Sequence, residues 1–124
     1  MIVCAAVISQ VAALGALRDS LEDVPRRLEI LNERRLLLDH LLAEIPQLRW
    51  QPTRGAFFAF VGVEGCTDSA AMARDILERA HVATVPGSAF GQSGEGYLRL
   101  SYGSVDTLDL EEACRRLAEY FRST

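Results

Sequence analysis

The chain contains no lysine: all 13 of its basic residues are arginines, spread over 124 positions. Because a lysine amine is the side-chain group that forms a Schiff base with a carbonyl compound, no such link to a side chain is available. Cysteine is scarce as well. Cys4, Cys66 and Cys114 lie far apart and lack the paired spacing of metal sites or disulfide frameworks. We predict reduced thiols in a cytoplasmic protein, each acting as a small buried hydrophobic side chain.

Positive charge is also in deficit, since 17 acidic residues against 13 arginines give a formal net charge of −4. Nucleic acids and anionic membranes bind dense basic surfaces, so we expect neither as a partner.

Residues 1–17 are almost wholly apolar, but Ser9 and Gln10 interrupt the run. That run is too short to span a bilayer and lacks the basic start of a secretory signal. It predicts a helix that must be buried on more than one side.

Apolar spacing predicts a second, long helix that starts near Asp23, with Pro25 in its first turn, and ends before Pro46. One apolar stripe runs along it: Val24, Leu28, Leu31, Leu38, Leu42 and Ile45. Packing of this stripe on a sheet is the favoured interpretation, and pairing in a coiled coil is the alternative. Arg34 and Arg35 are predicted to be solvated or paired with nearby acids, Glu33 and Asp39.

The remainder predicts alternating strands and helices. The expected elements are strands at 48–51 and 56–63, a helix at 69–80, strands at 81–85 and 97–102, and a final helix capped by Asp106. His81 is expected at a helix end rather than in catalysis. This order predicts an α+β fold, a small and mostly antiparallel sheet covered by helices. Residues 23–124 are predicted to form one compact unit, and residues 1–22 a separate apolar helix.

Arg99 is the candidate binding residue. It follows a turn-rich loop and lies on a predicted strand in which Leu98 and Leu100 point to one face, and Tyr97, Arg99 and Ser101 to the other. A guanidinium held by a rigid element can grip a carboxylate through two parallel hydrogen bonds. The alternative is a solvated surface arginine or a partner of a nearby acid.

Several short motifs occur in a recognisable order. They are Ser9-Gln10, Arg34-Arg35, Pro52-Thr-Arg-Gly-Ala-Phe-Phe58, Val85-Pro-Gly-Ser-Ala-Phe-Gly91 and Tyr97-Leu-Arg-Leu-Ser101. Together they resemble the carboxyl-terminal small domain of fold-type I pyridoxal-phosphate aminotransferases of class I and II, which are similar to aspartate aminotransferase. The resemblance extends over nearly the whole chain.

This resemblance implies a domain or fragment of an enzyme that transfers an amino group between an amino acid and a 2-oxo acid. It implies that Arg99 binds the substrate α-carboxylate and that Gly55 and Phe57 lie near the ligand at the edge of the cleft. Pyridoxal phosphate and its lysine would belong to a large domain, so no cofactor is expected to bind covalently to this chain and no activity is expected from it alone. The apolar helix at 1–22 would lie at the domain junction, which implies a homodimer or a missing large domain as its partner.

Two alternatives belong to other functional classes. Some transcriptional regulators join a winged-helix DNA reader to an aminotransferase-like body, and the chain resembles the end of such a body equally well. A helix-turn-helix segment encoded upstream would favour that interpretation. The second alternative is a domain that only dimerises through its apolar first helix.

Overall fold

The computed structural model describes residues 4–19, 21–52 and 54–123. The chain divides into two units, Met1–Ile30 and Leu31–Thr124. The first unit contains helix α1 (Val7–Asp19) and the beginning of helix α2 (Asp23–Ala43). The large apolar side chains of α1 are exposed: Val7, Ile8, Val11, Leu14 and Leu17. The burial that the composition of α1 predicts is therefore not found among the described residues. The division of the chain at residue 22 stays a prediction.

The second unit is built on a four-stranded antiparallel sheet, as predicted. Its strands are β1 (Leu48–Arg49), β2 (Phe58–Val63), β3 (Val85–Pro86) and β4 (Tyr97–Ser101). They lie in the order β1-β2-β4-β3, and every neighbouring pair is antiparallel. The central pair sets the register, with Phe60 opposite Arg99 and Val61 opposite Leu98. Because side chains alternate along a strand, Arg99 and Phe60 lie on one face, and Leu98 and Val61 on the other.

One face of the sheet is covered by helices. Helix α3 (Ser69–Ala80) and helix α4 (Thr107–Arg122) pack there together with the end of α2. Buried side chains from the helices and strands form two adjoining clusters, which include Leu42, Val61, Ile76, Leu98 and Leu117. The predicted stripe of α2 is confirmed at Leu38 and Leu42, which are buried, and wrong at Val24 and Leu28, which are exposed. Ile45 is also buried, but it follows the helix, which ends at Ala43.

Capping residues mark the ends of helices α3 and α4. The Asp68 carboxylate accepts a hydrogen bond from the Ala71 N–H at 2.8 Å, and Asp106 accepts from the Asp109 N–H at 2.8 Å. Both are N-caps that satisfy backbone donors left without a partner inside the helix. His81 ends α3 in a left-handed conformation, with φ of 56°. The prediction that His81 lies at a helix end is therefore confirmed.

All four strands are shorter than the sequence predicts: β1 ends at Arg49 rather than at residue 51, and β4 ends at Ser101 rather than at residue 102. Ala56 has a φ of 63°, a left-handed conformation that does not continue an extended strand, so β2 begins at Phe58 rather than at Ala56. His81 likewise leaves the extended region, and Val85 is the one residue of the predicted strand at 81–85 that pairs with β4, together with Pro86, which follows that strand. In the part of the chain that the structure describes, no helix combines the length and apolar character needed to cross a membrane.

Candidate functional site

The face of the sheet opposite the helices carries an aromatic group around Arg99. Tyr97 and Ser101 are exposed beside it on β4, whereas Leu98 is buried on the helix side. The predicted alternation of β4 is therefore confirmed. Phe60 on β2 also keeps 38% of its surface exposed, although it lies in the middle of the sheet. Exposed apolar side chains that lie together can mark a ligand-binding surface, so this face is a candidate site in the second unit.

The guanidinium of Arg99 lies between two aromatic rings. Its central carbon is 4.3 Å from the centroid of the Phe58 ring and 5.1 Å from that of the Phe90 ring. Both distances fall within the range of a cation–π interaction. Among residues 4–19, 21–52 and 54–123, no acidic side chain forms an ion pair with Arg99. Its N–H donors are therefore held near the sheet surface without an ion-pair partner among these residues.

A row of rings continues across this face. Phe60 and Tyr97 stack in parallel, with ring centroids 5.0 Å apart and an interplanar angle of 7°. Phe90 meets Phe60 edge to face at 5.9 Å. These are favoured geometries of aromatic pairs, and they fix the ring positions relative to one another. Phe90, one of the two rings that contact Arg99, is thereby connected to a larger aromatic surface.

Gly55 and Phe57 lie just before β2. The Phe57 carbonyl accepts from the Tyr102 N–H at 3.0 Å, and the Tyr102 hydroxyl donates to the Ala56 carbonyl at 3.0 Å. These bonds connect the segment before β2 to the end of β4. The Phe57 ring is partly exposed and packs against the Phe58 ring at 4.4 Å. Phe57 is therefore one ring removed from Arg99, while Gly55 is exposed in the preceding turn.

Arg34 has a different role from the one predicted. Instead of being solvated or paired with an acid, it donates from Nη1 to the Gly103 carbonyl at 3.1 Å, which supports the turn after β4. Arg35 also departs from the prediction, since its guanidinium donates to the Asn32 side chain. The Asp39 carboxylate accepts from the Trp50 indole instead. Asn32 lies three residues before Arg35 on the same helix, whereas the contacts of Arg34 with Gly103 and of Asp39 with Trp50 depend on the fold.

The loop between β3 and β4 contains two short 3₁₀ turns, Gly87–Phe90 and Gln92–Gly94. The backbones of Gly87 and Gly94 cross so closely that a Cβ on Gly94 would lie 2.1 Å from the Gly87 carbonyl oxygen. Only glycine fits such an approach. Sequence reasoning identified the glycines as turn residues but missed that Phe90 reaches Arg99. The only signal for Phe90 was its place in the Val85–Gly91 motif.

Other arginines in the second unit are paired with acids. Arg79 bonds a carboxylate of α3, whereas Arg115 and Arg116 bond carboxylates of α4, at distances from 2.6 to 3.2 Å.

The cysteines differ among themselves: Cys114 is buried, which raises its pKa to about 11, whereas Cys4 is exposed. The predicted burial of each thiol is thus confirmed for Cys114 and wrong for Cys4.

Comparison with known proteins identifies the family of the chain. The family model described as "Aminotransferase class I and II" matches residues 1–117. The chain is 38% identical over 123 residues to an aspartate aminotransferase of Pyrococcus abyssi, covering 96% of this chain and 31% of that protein. It is 37% identical over 124 residues to an aspartate/prephenate aminotransferase of Nitrosomonas europaea, covering 90% and 30% respectively.

Solved structures show the same fold. An alanine aminotransferase from Pyrococcus furiosus superposes with a TM-score of 0.91 at 29% identity, covering 98% of this chain and 31% of that one. An aromatic aminotransferase from Pyrococcus horikoshii gives 0.84 at 36% identity, covering 92% and 31%. The chain belongs to the class I and II aminotransferase family. It spans only about a third of the length of these relatives.

Proposed function

We propose that this chain is the carboxyl-terminal part of an aminotransferase and that Arg99 binds the α-carboxylate of an amino acid or a 2-oxo acid. One observation carries the proposal: the guanidinium lies between Phe58 and Phe90 on the open face of the sheet, with no ion-pair partner among the described residues. The relatives named above are aminotransferases, and this supports the same substrate class for the complete protein.

The aromatic contacts suit Arg99 to this task. A guanidinium that packs against rings loses rotamer freedom, yet its N–H donors are not used by those contacts. The planar guanidinium can donate two parallel hydrogen bonds to the two oxygens of a carboxylate. Because the side chain is already ordered, binding costs little further conformational entropy. An arginine already paired with an acid of the chain would have to break that pair first.

Gly55 and Phe57 are proposed to border the same ligand. The support is the contact between the Phe57 and Phe58 rings, which places Phe57 next to the ring that touches Arg99. The exposed fraction of Phe57, 45%, leaves ring surface for a substrate side chain. Gly55 is proposed to border it through its position in the same segment.

The family implies pyridoxal phosphate in the complete enzyme. The residues of this chain do not fit covalent attachment of that cofactor, because the sequence contains no lysine. We therefore assign the cofactor and its chemistry to a large domain and derive no catalytic step from this chain. A homodimer partner or that large domain is proposed to cover α1, and the cytoplasm is proposed as the location.

A test uses a simple carboxylate and its neutral counterpart. The chain is titrated with propionate or propionamide at constant ionic strength, and the Nε–H resonance of Arg99 is followed by NMR. We expect propionate to shift this resonance and propionamide not to, because only the anion accepts two charge-assisted hydrogen bonds.

The variant Arg99→Lys keeps the charge but loses the fork, so propionate affinity should fall at least about tenfold. Because lysine has no Nε–H of the arginine type, affinity of that variant is read from the amides of β4. Arg49→Lys is the matched control, since Arg49 is also a strand arginine but is exposed and paired with Glu64. Equal affinity of the wild-type chain and Arg99→Lys would contradict the proposal.

A further inference from the structure

The loop that carries Phe90 is tied to the start of α3 by Glu95. Its Oε1 accepts from the Ser69 N–H at 2.6 Å and from the Gly96 N–H at 3.1 Å. Ser69 is the first residue of α3 and is wholly buried. The first N–H groups of a helix have no partner inside it, and a carboxylate is favoured there by the helix dipole. Glu95 therefore connects the loop to α3 through a charge-assisted contact.

A second connection starts from the same buried serine. The Ser69 hydroxyl donates to the Ser88 hydroxyl at 3.0 Å and accepts from the Ser88 N–H at 3.2 Å. Ser88 lies in the first 3₁₀ turn, two residues before Phe90. Both ends of the loop thus meet at the N-terminus of α3. The close crossing of Gly87 and Gly94 joins the two turns between these connections.

We propose that Glu95 is a positioning residue for Arg99: by fastening the loop to α3, it keeps the Phe90 ring on the guanidinium. The loop then forms one wall of the site, and it is held rigidly to α3. The consequence for carboxylate binding rests on the proposed function of Arg99. The placement of Phe90 by Glu95 does not depend on it.

The charge on Glu95 is retained at neutral pH. Hydrogen bonds from Ser69 and then from Gly96 lower its pKa below the ordinary value of 4.5. Among the described residues, the Cys66 thiol lies close enough for the Glu95 carboxylate to contribute to the raised pKa of that thiol. A carboxyl whose folded pKa is lowered contributes fully above its unfolded value and loses its contribution as the pH falls through the folded value. The connection is therefore complete throughout the neutral range.

The experiment separates ring placement from ligand binding. The variants Glu95→Ala, Glu95→Gln and Ser88→Ala are compared with Glu44→Gln, which removes an exposed acid that lies just after α2 and pairs with His40. The first readout is the Arg99 Nε–H resonance without ligand, because rings close to the guanidinium displace it. The second is the hydrogen-exchange rate of the Ser69 and Gly96 amides. The third is propionate affinity.

We expect Glu95→Ala to move the Arg99 resonance, to speed exchange at both amides and to weaken propionate binding about two- to tenfold, the equivalent of one cation–π contact. Glu95→Gln keeps an acceptor oxygen and should restore most of the wild-type values. Ser88→Ala should move the Arg99 resonance less than Glu95→Ala, since the Ser88 N–H still reaches Ser69.

The outcomes distinguish the positioning role of Glu95 from carboxylate binding by Arg99. An unchanged Arg99 resonance in Glu95→Ala would overturn the positioning role, even if propionate still binds and the function of Arg99 stands. A displaced resonance in a chain that does not bind propionate would support the positioning role and contradict the carboxylate function. A Glu44→Gln variant that behaves like Glu95→Ala would also overturn the role, because the effect would then follow from charge alone.

Discussion

Phe58 and Arg99 are diagonal neighbours on adjacent strands. Phe58 pairs in register with Ser101, two residues beyond Arg99, yet its ring centroid lies 4.3 Å from the guanidinium carbon. Diagonal positions on one face of a sheet are about 7–8 Å apart, so only long side chains can meet across them. The long side chain of Arg99 therefore reaches diagonally to the Phe58 ring rather than to the directly opposite Phe60.

This relationship predicts the effect of replacing Phe58. Phe58→Leu keeps an apolar side chain but removes the π face, so propionate affinity should fall about two- to tenfold through loss of one cation–π contact. Phe58→Tyr keeps the ring and should retain wild-type affinity. Both variants are titrated by NMR under one salt concentration. Equal losses in Phe58→Leu and Phe58→Tyr would show that the π face is not what matters.

The sequence was sufficient to predict the elements whose cause is local. The N-cap at Asp106, the helix end at His81 and the alternation of β4 each follow from residues that are close in the chain, and the structure confirms all three. The stacking of Phe90 on Arg99 depends on a loop that folds back by its bonds to Ser69. Periodicity in the sequence does not indicate which loop side chain contacts a strand residue, so the contact between Phe90 and Arg99 could not be predicted.

Gly94 gives a prediction on the loop itself. Gly94→Ala would place a Cβ 2.1 Å from the Gly87 carbonyl oxygen, and a backbone atom cannot move aside as a flexible side chain can. We expect a loss of stability of roughly 1–3 kcal/mol, as for other overpacked sites, together with a displaced Arg99 Nε–H resonance. Ser93→Ala, an exposed position in the same turn, is the control and should unfold like the wild-type chain in urea.

Glu112 predicts a pH dependence of stability. Hydrogen bonds from Arg115 and Arg116 lower its pKa to about 2, from an ordinary value of 4.5. Since the folded pKa is the lower one, the stabilisation is complete above about 4.5 and is lost as the pH falls towards 2. The difference in urea midpoint between wild type and Glu112→Gln should therefore be constant from pH 7 to 5 and shrink below that.

Salt gives an independent check on Glu112, because its side chain is 43% exposed and its ion pairs are open to screening. The difference between wild type and Glu112→Gln should shrink in 1 M salt at pH 7, an ionic strength at which the Debye length is about 3 Å. Glu111→Gln, the neighbouring exposed acid, controls for removal of one negative charge. A difference that grows on acidification would contradict the assignment.

The absence of lysine predicts the outcome of mixing the chain with pyridoxal phosphate. After borohydride reduction and proteolysis, mass spectrometry should find no internal residue modified, with at most a weak adduct at the amino terminus. A lysine-containing protein treated in parallel shows that the reduction has worked. Stoichiometric label on an internal residue would contradict the assignment of the cofactor to a large domain.

Helix α1 predicts self-association of the isolated chain. Its Ile8 and Val11 side chains are 79% and 64% exposed, and apolar surface of this extent promotes association in water. We expect the chain to sediment as a dimer or a larger species, and Ile8→Asp with Val11→Asp to shift it towards the monomer because a buried unpaired charge is costly. Leu108→Asp is the matched control, since Leu108 is 73% exposed on α4, outside the apolar helix. A wild-type chain that remains monomeric at high concentration would show that α1 does not bind a second copy, and would leave the missing large domain as its proposed partner.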